Sequence, residues 1–172
     1  MTEEKKTYLQ HAFRYGTIIG FVSFIYYLIG FYTGFEEKVF IFDNLYFFLS
    51  VALFIVMMSK YRNMQQGKVK FSRYLAIGFV ASVITAFFIS AYTFIRVTVL
   101  DTYLIYQIIS LVEKAMPTYQ LPELTSSTLG ILKISYVFAN FFVNIFNNMI
   151  YIMLISAFMV WNSRMYNRNT NK

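Results

Sequence analysis

Cysteine is absent from the 172-residue chain, which excludes disulfide scaffolds, thiol nucleophiles and cysteine-ligated metals. Two prolines and seven glycines are too few for a collagen-like or low-complexity chain. Charge is scarce as well. Lys, Arg, Asp and Glu make up 13% of residues, about half the share in ordinary soluble domains, and so little charge excludes a disordered chain. What is present is apolar: 58% hydrophobic residues, 21% aromatic residues and a mean hydropathy of +0.54. A soluble domain of this length could not hide that much apolar surface. The composition is that of an integral membrane protein.

A helix crossing the hydrocarbon core needs about 20 mostly apolar residues, because each adds only about 1.5 Å. Four stretches qualify, at 15–35, 39–59, 74–95 and 141–162. The last lies within the longer uncharged run from Ile134 to Ser163, so part of it is expected to project or tilt. The first stretch follows Lys5, Lys6 and Arg14, as a signal peptide would. It is longer than a signal h-region, however, and bulky Phe31, Tyr32 and Phe35 occupy its end. It reads as an uncleaved span. The expected fold is therefore all-α, a single membrane domain of four transmembrane helices.

Basic residues set the orientation. With both termini inside, the cytoplasmic segments hold eleven Lys and Arg and two acids, against four and six outside. The positive-inside rule then places both termini in the cytoplasm. The net charge of +7 is mostly this topology signal. No nucleic-acid partner is expected, since no basic arm or binding motif accompanies the charge. The basic second loop (Lys60, Arg62, Lys68, Lys70, Arg73) fits attraction to anionic membrane lipid instead.

The outer connection, 96–133, carries Leu104, Ile108, Leu111, Val112 and Ala115 at helical spacing. A short amphipathic helix lying on the outer membrane surface is expected, ended by Pro117 and Pro122. Its role is that of a linker with one greasy face in the headgroups, or of a lid or partner-docking surface. Thr125, Ser126 and Ser127 offer an N-cap for the next helix.

Inside the membrane, association depends on close packing. Gly16 and Gly20 form a GxxxG pair, as do Gly30 and Gly34. Gly78, Ser82, Ala86 and Ser90 follow one another every four residues. These faces are expected to pack helices together within one monomer, with a homo-oligomer seam as the alternative. Asn140, Asn144, Asn147 and Asn148 fall within roughly 100° of arc on the fourth span. Lipid offers an amide no partner, so the stripe reads as interhelical hydrogen bonding or as a polar path. Asp43 and Arg96 both lie toward the outer ends of their spans and form a candidate ion pair, with Asp101 as an alternative partner for Arg96. No acid lies mid-span, which argues against a proton-coupled transporter.

Catalysis finds no support. The chain has no P-loop, HExxH or GxSxG motif. No cofactor or metal is implied. His11 is expected to be solvated in the basic leader. Tyr61-Arg62, Gly67, Phe71-Ser72 and Gly78, leading into a small-residue span that ends near Tyr92, resemble the domain of unknown function 4199 family of bacterial membrane proteins. The opening Tyr15-Gly16-Thr17-Ile18-Ile19-Gly20 is similar to the start of that family's first span. The resemblance implies a four-helix inner-membrane protein with no assigned activity and no catalytic residue. The expected function is non-enzymatic: a scaffold or accessory subunit beside a membrane-protein partner. The alternative is an oligomeric transporter or lipid-binding protein that uses the Asn stripe.

Overall fold

The computed structural model describes residues 3–66, 69–115 and 125–170, and all regular structure among them is helical. Helix α1 (Glu3–Thr33) passes through a short 3-10 turn (Phe35–Glu37) into α2 (Val39–Met64). Helix α3 (Phe71–Ile95) continues as one π-helical turn (Arg96–Leu100), followed by α4 (Leu104–Ala115) and α5 (Ser126–Thr170). Four segments are long and apolar enough to cross a membrane: Tyr8–Thr33, Val39–Met64, Phe71–Leu100 and Ser126–Asn162. The protein is an all-α, four-span membrane bundle.

The helices overrun the spans read from hydropathy, which marks where the chain is apolar and not where its backbone stops coiling. Helix α5 starts at Ser126, at the cap expected from the sequence and well before the span at 141: the Thr125 hydroxyl accepts the Thr128 backbone N–H at 3.3 Å. No proline follows to stop it. Pro117 and Pro122 lie outside the described residues, as do Gly67 and Lys68.

Helix α3 is the centre of the bundle. Half of its apolar window is buried inside the protein, against 17% for α2. It runs parallel to α1, where Gly16 abuts Ala81 and Ile84, and Gly20 abuts Phe88. It runs antiparallel to α5, whose Ile152 fills the space left by Gly78. Ser82 and Ala86 are wholly buried between these neighbours. The Thr85 hydroxyl reaches the Gly16 carbonyl at 3.4 Å across the α1–α3 seam.

The larger apolar core lies toward the basal end, where α1 begins and α5 ends. Phe54, Met57, Tyr61, Tyr74, Ile77 and Ile152 meet there. His11 belongs to this core and is not solvated. It is 7% exposed, its Nε2 lies 3.0 Å from the Met57 carbonyl, and its ring sits between those of Tyr15 and Tyr61. The reason is that α1 extends below the membrane-spanning run, carrying His11 and Ala12 down the same inward stripe as Gly16 and Ile19.

At the distal end, α4 forms the expected short amphipathic helix, turned a little from the expected stripe. Its buried residues are Ile105 and Ile109, which cluster with Val97 and with Leu129, Leu132 and Tyr136 on the outer part of α5. Leu104 and Ile108 of the expected stripe pack against the same cluster, so most of the apolar face meets protein. Leu111 and Val112, expected on that face, are exposed.

Candidate functional site

Depth along α5 follows from two contacts with α3: Asn140 beside Thr93, and Ile152 against Gly78. Midway between them on α5 is Phe146, and midway on α3 lie Thr85 and Ala86. Arg73 and Arg96 bracket α3 almost symmetrically about that level. Asn147 and Asn148 thus sit near the middle of the spanning region, and Asn140 lies toward the distal end.

The four asparagines do not form one groove. Asn144 donates to the Asn140 carbonyl at 2.8 Å and to Asn140 Oδ1 at 2.7 Å. Asn140 Oδ1 also accepts the Thr93 hydroxyl at 3.4 Å. Asn148 is 3% exposed, and its amide nitrogen has no partner among the described residues. Asn147 points outward, away from the bundle. One stripe on a helix faces three environments, because its arc is wide enough to straddle the α3 contact.

A charged node closes the distal end. Gly34 adopts a left-handed conformation, φ +65°, that ends α1 and turns the chain so that Glu36 comes back over α3. Arg96 grips Glu36 through both terminal nitrogens, at 3.0 Å and 2.8 Å. The Tyr92 hydroxyl adds a contact to Glu36 at 3.5 Å. The π-turn, closed by the Asp101 N–H on the Arg96 carbonyl at 2.7 Å, brings Asp101 within 3.8 Å of the same guanidinium. The pairing of Arg96 with Asp43 is thereby corrected. Asp43 is exposed on α2, and Glu36 holds the position in its place.

Below the node the interior is filled by tyrosines. Tyr27 stacks on Tyr92 with centroids 5.5 Å apart and leans on Tyr46 at 4.9 Å. Tyr46 donates to Ser23 at 3.2 Å, and Tyr26 to the Phe42 carbonyl at 2.8 Å. Tyrosine rings from α1, α2 and α3 thus pack on one another, and two hydrogen bonds join α1 to α2.

Two pockets open at the basal end, both lined by bases. One, of about 370 Å³, lies between α1 and α2 and is lined by Gln10, Arg14, Lys60 and Asn63 beside His11 and Tyr15. The other, of about 460 Å³, is lined by Gln65, Lys70, Ser72 and Arg73 with Tyr61. Neither pocket was singled out in the sequence, where the basic second loop read as a topology signal and as an attraction to anionic lipid. Among the described residues no group of three His, Asp or Glu is placed to hold a metal ion. No family model, curated protein or solved structure matches the chain.

Proposed function

We propose that this protein is a non-enzymatic scaffold or accessory subunit of the bacterial inner membrane, with both termini in the cytoplasm and its α4–α5 unit on the outer side. One observation carries the reading: α5 is far too long for the bilayer, and its outer part is greasy. The segment Ser126–Asn162 has 37 residues, about 55 Å of helix. Even at the 40° limit of common tilts it rises about 42 Å, well beyond the hydrocarbon core of about 30 Å. The projecting part, with α4 packed on it, leaves Tyr103 73%, Leu111 64% and Ile131 65% exposed. Apolar side chains held above the membrane fit a protein partner that covers them. The sequence carries no catalytic motif, and the family resemblance implies the same four-helix membrane architecture.

The test is co-purification in mild detergent, with Leu111→Ser and Ile131→Ser combined. A stoichiometric partner should accompany the native chain and be lost from the variant, at unchanged melting temperature, because neither side chain is buried. A chain that purifies alone, or a variant that keeps its partner, refutes the docking surface. Topology has its own check. Reporter fusions at the C-terminus and in the outer connection should report opposite compartments, the C-terminal one cytoplasmic. An external C-terminal signal would invert the assignment.

A lipid-binding reading draws support from the basal pockets, not from the Asn stripe. Under the proposed topology Arg14 and Lys60 sit at the cytoplasmic interface, where anionic headgroups concentrate. A transporter reading has less behind it, since the stripe is split and the tyrosines below the Arg96 node fill the interior.

A further inference from the structure

We infer that a second copy of this chain packs against the outward face of α5, with the Asn147 side chains of the two copies hydrogen-bonded to each other at mid-membrane. Asn147 is exposed to the hydrocarbon region and has no hydrogen-bond partner among the described residues. An amide in that position loses its hydrogen bonds to water and gains none from lipid. Something polar must cover it.

The surrounding face says what shape the cover has. Val143, Asn147, Ile150, Leu154, Ala157 and Trp161 follow at spacings of four and three, and all six are exposed. That is the a/d pattern of a left-handed helix pair, with one polar residue at an a position. In such pairs a lone asparagine fixes register and partner number. The small-residue faces are occupied elsewhere: Gly16 and Gly20 contact α3, and Gly78 holds Ile152. The Asn147 face is one that these contacts leave open, and it carries a polar residue at mid-membrane depth.

A second copy fits better than any other occupant for two reasons. An amide carries both a donor and an acceptor, so an identical amide is its complement. Copies inserted with the same orientation are related by an axis along the membrane normal, which puts each Asn147 at the depth of the other without further design. A different partner would have to carry a polar group at that depth by its own sequence.

The natural absence of cysteine makes the test direct. Ile150→Cys and Leu154→Cys lie on the proposed seam. Met153→Cys and Phe142→Cys are also exposed, but lie roughly 80–100° around the helix. Each full-length variant is oxidised in lipid nanodiscs or native membranes. The seam positions should give disulfide-linked dimers and the others should not. Adding Asn147→Leu to Leu154→Cys should lower the cross-linked fraction about tenfold, the scale of one amide pair between membrane helices. The melting temperature of the monomer should hold, because Asn147 has no bond within the chain to lose. Equal cross-linking at all four positions, none at any, cross-links to a different protein, or an Asn147→Leu variant that dimerises as before would each overturn the proposal.

Discussion

Gly16→Ala is expected to destabilise the protein by about 1–3 kcal/mol, the usual cost of overfilling a packed interface, and Gly16→Leu by more. A Cβ at Gly16 would lie 2.9 Å from the Ala81 Cα, 3.1 Å from the Ala81 carbonyl oxygen and 3.2 Å from the Ile84 Cβ. Two of these are backbone atoms of α3, and no flexible end can swing away, so the helices must separate. Separation also loosens the Thr85 contact to the Gly16 carbonyl. Gly20→Ala should cost less, because only the Phe88 side chain obstructs it: the ring carbons at 2.6 and 2.9 Å must swing aside and the Phe88 Cβ at 3.1 Å must give slightly. Gly130→Ala should cost nothing through contact, since no atom lies within 4 Å of its Cβ position. Melting temperatures in detergent should fall in that order. A Gly16→Leu protein that melts like the native one would show that α1 and α3 do not meet there.

That seam shows which parts of the fold a sequence can carry. Hydropathy adds residue by residue, so four spans could be counted without knowing how they meet. Small residues announce close approach, and Gly16, Gly20, Gly78 and Ser82 all lie at helix contacts. The central position of α3 was also within reach. Its small and hydroxyl residues from Ala81 through Thr85 and Ser82 to Ala86 cover roughly 140° of arc. That is enough for two neighbours, α1 on one flank and α5 on the other. Continuing the Gly16 stripe backward through Ala12 would have drawn His11 inward too.

Azimuth and turn geometry were beyond the same reasoning. Asp43 and Arg96 share a depth, but depth does not choose a direction. Asp43 points away on α2, while a single left-handed glycine delivers Glu36 to the guanidinium. Helix α4 shows the same gap on a smaller scale. Its sequence offers two adjacent apolar stripes, one through Ile105 and Ile109 and one through Leu104, Ile108 and Leu111. Contact with the outer part of α5 buries the first, packs Leu104 and Ile108 of the second against the same cluster, and leaves Leu111 exposed. The Asn stripe was legible as polar residues in an apolar helix. Its division among Asn140, Asn147 and Asn148 depends on where α3 touches α5.

The Arg96 node then yields a double-mutant cycle. Arg96→Met should cost about 2 kcal/mol, below the 3–5 kcal/mol for breaking a fully buried pair, because these side chains retain some access to water. The two side chains are 24% and 16% exposed. Most of that loss comes from leaving the Glu36 carboxylate half-buried without its two donors. Removing both charges should therefore recover much of it, so that Arg96→Met with Glu36→Met is milder than the sum of the single changes. Asp43→Asn should leave stability unchanged and show no coupling to Arg96. The measurement is thermal or denaturant unfolding of the single and paired variants in one detergent. Coupling above about 1 kcal/mol for Glu36 and near zero for Asp43 is the signature of a guanidinium held by the Gly34 turn. The reverse pattern would place α2, and not that turn, over the end of α3.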